Sequence, residues 1–233
     1  LKTMANFLDS IPKVTKNLLI INILAYLATI TLVKSGFDMN DILGLHYYES
    51  DSFKPFQIIT YMFLHASFSH LFFNMFALWM FGRIIEDILG PSKYIFFYFT
   101  CGIGAGLVQE LAWAYDIPNA LQGIAMKYGT VLSASDTEMI MSRFITVGAS
   151  GAIFGLLLAF AMLLPNQPIF FMFIPVPIKA KYFVIIYALI ELWGGVAASS
   201  GDNVAHFAHL GGMIFGFFLL KYWQNKYKNQ QMD

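Results

Sequence analysis

The sequence predicts an all-α polytopic membrane protein with six transmembrane helices. Hydrophobic residues make up 58% of the 233 residues and charged residues only 12%, whereas soluble domains carry about 25% charged residues. Apolar runs of the roughly 20 residues needed to span a bilayer recur along the chain. Most of the protein surface must therefore face lipid rather than water.

The predicted spans divide the chain into three parts. They cover residues 17–34, 68–89, 93–115, 148–164, 181–199 and 205–223. The chain then consists of a short N-terminal segment (1–16), a six-helix core (17–223) and a C-terminal tail (224–233). The last span begins with two polar residues, His206 and His209, so a strict hydropathy criterion would miss it. An even number of spans puts both termini on the same side of the membrane.

Basic residues predict which side that is. If the N-terminus is inside, ten lysines and arginines fall in inner segments and four in outer segments. Cytoplasmic loops are enriched in lysine and arginine, so we expect both termini to be cytoplasmic and residues 35–67 and 116–147 to form outer connections. No small-residue cleavage site follows the first apolar run, so no cleavable signal peptide is expected.

Composition and motifs argue against several other classes of protein. The net charge of zero argues against a nucleic-acid partner. The single cysteine, Cys101, has no partner for a disulfide and is expected to pack as a small hydrophobic residue. No H-E-x-x-H pattern is present, so a zinc protease of that type is disfavoured, and no metal or other cofactor is expected.

A serine between glycines begins the fourth predicted span, in the sequence Gly148-Ala149-Ser150-Gly151. A polar residue at membrane depth is costly unless it is buried in protein or faces a water-filled cavity. Backbone N–H groups in the first turn of a helix are free to bind an anion, which suits an oxyanion site. The alternative is packing, because Gly151 and Gly155 form a GxxxG spacing.

A histidine near the start of the sixth predicted span is the candidate base. His209 lies at a depth similar to that of Ser150, and Gly212 and Gly216 after it favour close helix contact. A base within ~3 Å of a serine hydroxyl activates it as a nucleophile. The alternative is a hydrogen-bonded structural histidine, and His206, one turn earlier, shares that ambiguity.

Two further polar residues share one face of the second predicted span. His70 and Asn74 are spaced i, i+4, so their side chains lie close together on a helix. Both can donate hydrogen bonds, and two donors directed at one point are what a developing oxyanion requires. The alternative is a polar clamp between helices.

Intramembrane carboxylates are functional candidates by default. Glu86, near the inner side, is expected only to extend toward the interface. Glu191 has no partner evident in the sequence and stays unassigned. No acidic residue precedes His209 in its own helix, and the nearest one is Asp202 in the outer connection.

Taken together, these residues resemble the rhomboid intramembrane serine proteases. The resemblance covers roughly residues 17–223, and its motifs occur in the family's order on spans two, four and six. The motifs are His70-x-x-x-Asn74, Gly148-x-Ser150-Gly151 and Ala208-His209-x-Gly211-Gly212. The segments Phe63–His70 and Phe81-Gly82-Arg83 also resemble the family's entry into span two and exit from it.

The resemblance implies a rhomboid-like six-helix core and a Ser–His dyad without a catalytic acid. It implies Ser150 as nucleophile, His209 as general base, and His70, Asn74 and the Ser150 backbone N–H as oxyanion donors. Gly148, Gly151, Phe154 and Gly212 then support the site. Two departures stand out: Phe56-Gln57 replaces a frequent Trp-Arg in the first outer connection, and Phe154 replaces a frequent tyrosine.

The predicted function is hydrolysis of single-pass membrane proteins near the outer face of the bilayer. One alternative is a catalytically inactive rhomboid-like protein that binds membrane proteins. Another is a transporter or channel that uses His65, His70, His206 and His209 as metal ligands, although that hypothesis leaves the glycines around Ser150 unexplained.

Overall fold

The computed structural model describes residues 10–171, 174–197 and 205–230. Within these ranges, four helical segments are long and apolar enough to cross a membrane: Lys13–Ser35, Phe68–Leu89, Pro91–Tyr128 and Ala180–Ala197. The apolar helix Ser150–Leu163 is shorter, and the last helix, His206–Gln230, does not meet the same criterion. The all-helical membrane fold is confirmed, whereas the number of six spans stays a prediction.

The helices follow one another with few strands between them. In chain order they are α1 (Lys13–Leu32), α2 (Met39–Leu43), α3 (Gln57–Thr60), α4 (Phe68–Ala77), α5 (Arg83–Leu89), α6 (Pro91–Tyr128), α7 (Ala134–Met141), α8 (Ser150–Leu163), α9 (Ala180–Ala197) and α10 (His206–Gln230). A π-helical turn, Leu78–Gly82, joins α4 to α5, and 3₁₀ turns cover Val33–Ser35 and Tyr61–Phe63.

Two short antiparallel strand pairs connect the helices. Strand β1 (Leu45–His46) pairs with β2 (Ile145–Thr146), so the connection after α1 is joined to the segment before α8. Strand β3 (Pro168–Phe171) pairs with β4 (Ile174–Lys179) between α8 and α9. Pro168 begins β3, and Pro175 and Pro177 lie in β4.

The first helix has the burial pattern expected for lipid contact. A helix in water buries its apolar face. On α1, the face that packs against the rest of the protein buries three polar residues and one leucine. The buried residues are Thr15, Leu18, Asn22 and Thr29. Its exposed large hydrophobic residues include Ile20, Ile21, Leu24 and Leu27. Such a surface is stable only against an apolar solvent.

Glu86 holds the N-terminus of α1. Its side chain is buried, and the two carboxylate oxygens accept hydrogen bonds from the backbone N–H groups of Val14 and Thr15 at 2.9 and 2.7 Å. The Thr15 hydroxyl adds a third bond at 2.8 Å. A carboxylate at a helix N-terminus satisfies free N–H groups and complements the helix dipole. The expectation that Glu86 only extends toward the interface was therefore wrong.

The third span is longer than the sequence suggested. We expected residues 93–115, but α6 runs from Pro91 to Tyr128 and continues through Pro118. At 1.5 Å per residue its 38 residues extend for about 57 Å, well beyond the roughly 30 Å hydrocarbon core. The helix ends at Gly129, whose φ of 61° is the left-handed conformation that favours glycine.

Gln57 anchors the connection between α1 and α4, where the family's frequent Trp-Arg is absent. Gln57 is 1% exposed. Its Oε1 accepts from the backbone N–H groups of Lys54 and His46 at 3.0 and 3.4 Å, and its Nε2 donates to the carbonyls of Ile42 and Ser52, both at 3.1 Å. One amide side chain thus ties together four points of this connection.

Glycines let α8 and α10 approach until their backbones touch. A side chain at Gly212 would overlap the Gly151 carbonyl oxygen. One at Gly155 would overlap Cys101 and would lie 3.1 Å from the Gly212 carbonyl oxygen. Cys101 itself is fully buried. Close contact through small residues is the usual basis of helix association in membranes.

Replacing Gly212 with valine should separate α8 from α10. Overpacking a tight interface costs about 1–3 kcal/mol, so Tm should fall in a thermal unfolding measurement in detergent. Gly155→Val should act in the same direction. Gly123→Val in α6 is the matched control, because nothing lies within 4 Å of a side chain added there. An unchanged Tm for Gly212→Val would show that this contact does not limit stability.

Candidate active site

Ser150 is the first residue of α8, and the segment before it is held in position by Tyr61. Gly148 donates its backbone N–H to the Tyr61 carbonyl at 2.9 Å, and the Tyr61 hydroxyl donates to the Gly102 carbonyl at 2.7 Å. Gly148 has a φ of 141°, which an L-residue rarely adopts. The chain therefore turns sharply into α8 and leaves the Ser150 hydroxyl half-buried at its N-terminus.

His209, in the first turn of α10, contacts Ser150. Its Nε2 lies 2.8 Å from the Ser150 Oγ, although the two residues are 59 positions apart. The Phe154 ring stacks on the imidazole, with centroids 4.1 Å apart and planes 6° apart. Tyr187 of α9 stacks on Phe154 in turn, at 5.1 Å. The imidazole is thus fixed on one face by an aromatic stack and at Nε2 by the serine.

The His70 ring of α4 lies beside this pair, and Asn74 is one turn further along the same helix. Ser67 caps α4 by accepting the His70 backbone N–H at 3.1 Å, so the helix begins with His70 in its first turn. The His70 ring packs against Gly148, where an added side chain would lie 2.9 Å from His70 Nε2 and 3.5 Å from the Ser150 Oγ. Asn74 is buried, and its Nδ2 has no hydrogen-bond partner among the described residues. That amide is a buried donor that no described group satisfies.

An acidic side chain that the sequence left unassigned contacts His209. Glu191 of α9 is 5% exposed, and its Oε2 lies 2.9 Å from His209 Nδ1 and 2.7 Å from His206 Nδ1. Asp202, the acidic residue nearest to His209 in the sequence, lies outside the described residues. The carboxylate that contacts His209 therefore comes from the neighbouring helix α9 and not from α10 or the connection before it.

One group of side chains in the described ranges has the composition of a metal site, namely Glu191, His206 and His209. Their potential ligand atoms all lie within 4.8 Å of one another. His65 and His70, with ring centroids 5.0 Å apart, form a separate pair. Ligands around a tetrahedral zinc with 2.0–2.1 Å bonds lie roughly 3.3 Å apart. The observed 2.7 and 2.9 Å are instead the distances of charge-assisted hydrogen bonds.

The arrangement contains the parts that acyl transfer requires. Ser150 offers a hydroxyl, His209 a base in hydrogen-bond contact with it, and Asn74 a donor without a partner. The general pattern of activated serine sites is a nucleophile, a base that contacts it and a third group that orients the base.

Comparison with known proteins identifies the family. Residues 52–224 match the family described as "Rhomboid domain". The chain belongs to the rhomboid family. This match includes Ser150, His209, His70 and Asn74.

Several rhomboid relatives are about 30% identical to the chain over the aligned segments. It is 29% identical to "Rhomboid protease GluP" of Bacillus subtilis over 70% of this chain and 25% of GluP. It is 31% identical to "Rhomboid protein 1, mitochondrial" of Saccharomyces cerevisiae over 68% of this chain and 39% of the yeast protein. It is 32% identical to "Rhomboid protease AarA" of Providencia stuartii over 66% of this chain and 51% of AarA.

The chain therefore spans a quarter to about half the length of these relatives. Relatives named as rhomboid proteases support an intramembrane protease function at the level of the family. The rhomboid domain and the apolar helices also support an integral, multi-pass membrane protein.

Asn74→Ala should slow the reaction without eliminating it. Asn74 is expected from the family resemblance to be one of three oxyanion donors. Loss of one such donor typically costs about 10²–10³ in rate, and the other two expected donors, His70 and the Ser150 backbone N–H, would remain. The measurement is kcat with a single-pass membrane substrate in detergent or liposomes. Asn22→Ala is the matched control, since Asn22 is also a buried helical asparagine but donates to Leu18 of its own helix. An unchanged kcat for Asn74→Ala would leave Asn74 a purely structural residue.

Proposed function

We propose that this rhomboid-family chain is a serine endopeptidase that cleaves single-pass transmembrane proteins, with Ser150 as nucleophile and His209 as general base. The observation that carries the proposal is the 2.8 Å contact between His209 Nε2 and the Ser150 Oγ. It joins two helices whose first turns supply the two reactive groups. The protease names of several relatives support the same reaction class.

The reaction proceeds through an acyl-enzyme. His209 Nε2 takes the proton of the Ser150 hydroxyl while the Oγ attacks the scissile carbonyl carbon. The carbonyl oxygen becomes an oxyanion, which accepts hydrogen bonds from the Ser150 backbone N–H and from the His70 and Asn74 side chains. His209 then gives the proton to the leaving amine nitrogen. Water hydrolyses the ester by the same steps, with His209 again as base.

An apolar cavity beside the site suits a transmembrane substrate. It has a volume of about 390 Å³ and adjoins Phe154, which stacks on His209. Apart from Asn74 and Tyr187, its lining is entirely apolar. The lining residues are Phe73, Asn74, Phe76, Ala77, Met80, Phe81, Ile153, Phe154, Leu157, Ile169, Phe170, Phe183 and Tyr187. An apolar cleft with few polar groups favours a lipid-soluble segment over a charged soluble peptide.

The orientation of the site belongs to the same proposal. The excess of lysine and arginine in alternate connections puts both termini in the cytoplasm. Ser150 begins α8 on the side of the membrane opposite to the two termini, so the scissile bond lies near the outer face. The alternative function is binding of membrane proteins without catalysis. The presence of both Ser150 and His209 favours the protease over this alternative.

Ser150→Ala and His209→Ala should each abolish cleavage, and the double variant should be no slower than either single one. Residues of one catalytic unit are strongly non-additive because each needs the other. The measurement is kcat/KM for wild type and all three variants, with folding checked by Tm. Cleavage retained by Ser150→Ala would reject the proposal, and losses that multiply would show that the two residues act independently.

The cut should fall near the outer end of the substrate helix, beside small residues. A helix hides its carbonyls in backbone hydrogen bonds, and glycine or a helix breaker lowers the cost of unwinding it. Mass spectrometry of the product termini locates the cut, and a run of leucines introduced there should slow cleavage. The same leucines at the inner end of the substrate are the control. A cut at the inner end would contradict the proposed orientation.

A further inference from the structure

The carboxylate of Glu191 is the structural feature that the Ser–His mechanism does not use. It lies 2.9 Å from the nitrogen of His209 that does not face the serine. We propose that Glu191 is a positioning residue that completes a Ser150–His209–Glu191 triad, with His206 as a second donor that holds the carboxylate. This inference rests on the proposed function, and it adds an acid where the family resemblance implies a dyad.

The hydrogen bonds determine where the imidazole proton resides. An ionised carboxylate can only accept, so both histidine Nδ1 atoms that contact Glu191 must carry a proton. In a neutral imidazole the other nitrogen is then an acceptor. His209 Nε2, at 2.8 Å from the Ser150 Oγ, is therefore free to take the serine proton. Glu191 selects the one tautomer of His209 that can act as a base.

His206 prevents the carboxylate from turning away. Its Nδ1 lies 2.7 Å from the same Oε2 that contacts His209. The His206 ring occupies space left open by Gly194 of α9, where an added side chain would lie 2.5 to 2.8 Å from three ring atoms. Glycine at position 194 thus lets α9 approach α10 closely enough for a glutamate to reach both histidines.

The burial pattern of α9 indicates that Glu191 has a role beyond helix packing. The residues that α9 buries are Ala180, Val184 and Glu191. Apolar side chains of the same helix, including Ile185, Leu189 and Trp193, are exposed. A carboxylate is the costliest of these residue types to bury in a membrane, and an apolar residue would suffice for packing. The rival explanation is that Glu191 only ties α9 to α10, and the tests below separate the two.

The second departure from the family pattern increases the need for such a residue. Phe154 stacks on the His209 ring but has no hydroxyl with which to hold it. The stack fixes the plane of the ring, and the Ser150 contact at Nε2 restrains the ring within that plane. A hydrogen bond to Nδ1 adds a second restraint within the plane.

During the reaction Glu191 does not accept a proton. The serine proton moves to His209 Nε2 as the bond from Oγ to the carbonyl carbon forms, and His209 becomes an imidazolium. Glu191 stays ionised, keeps the Nδ1–H bond and neutralises the new positive charge. The proton then passes from Nε2 to the leaving amine. This is the role of the acid in soluble serine protease triads.

The first test reads the tautomer directly and does not depend on activity. The protein is labelled with ¹⁵N-histidine in detergent micelles, in a Ser150→Ala background. The ¹⁵N shifts of His209 report which ring nitrogen carries the proton. We expect Nδ1–H with Glu191 present, and loss of that preference in Glu191→Gln, whose amide N–H can donate to Nδ1. A tautomer that does not change in Glu191→Gln would overturn the proposal.

The second test separates positioning from packing. Glu191→Gln should lower kcat about 10²- to 10⁴-fold with little change in KM, because a wrong tautomer impairs proton transfer rather than substrate binding. Glu191→Asp keeps the charge and should recover part of kcat. Glu86→Gln is the matched control: Glu86 is 4% exposed against 5% for Glu191, but it bonds to the start of α1. It should lower Tm and leave kcat unchanged.

Two results of the kinetic test would overturn the proposal. One is a Glu191→Gln protein that loses Tm but keeps kcat, which would make Glu191 a helix tie. The other is loss of wild-type activity in EDTA with recovery on adding Zn²⁺, which would make Glu191, His206 and His209 a metal site. Failure of the proposed function has a different signature, namely cleavage that persists in Ser150→Ala.

Discussion

The close approach of α8 and α10 is the constraint on which the rest of the candidate site depends. Gly212 leaves no room for a side chain against the Gly151 carbonyl, so the start of α8 lies against the second turn of α10. Ser150 and His209 lie in the first turns of these two helices, and their side chains meet at 2.8 Å. A displacement of ~1 Å at this contact would remove the hydrogen bond and can cost about 10²-fold in rate.

Burying a charged side chain in an apolar helix bundle costs free energy unless hydrogen-bond partners surround it. Two glutamates in this protein have such partners. Near one end of the bundle, Glu86 satisfies the free N–H groups of α1. At the other end, Glu191 is shared between His206 and His209. The Asn74 amide differs from both, because it is buried without a partner in the described part of the chain. An unsatisfied buried donor is a cost in the resting protein that a bound oxyanion would remove.

The sequence was sufficient to predict the helices and the Ser150–His209 pair, since apolar runs and glycine motifs are local signals. It could not predict the partner of Glu191, because that contact depends on how α9 packs against α10, which no local pattern encodes. An intramembrane carboxylate was the available signal. The extension of α6 past Pro118 was missed because proline usually ends a helix. The four hydrogen bonds of the Gln57 side chain could not be predicted either, because they depend on how this connection folds back on itself.

The most direct test of the central claim is reaction with a fluorophosphonate, which reports an activated serine without any assumption about substrate. The wild-type protein in detergent is treated with the probe, and the modified residue is identified by peptide mass spectrometry. We predict one adduct, on Ser150, and none when His209 is replaced by alanine at the same folded concentration. Absence of the adduct from folded wild-type protein, or equal labelling of His209→Ala, would contradict the claim that His209 activates Ser150.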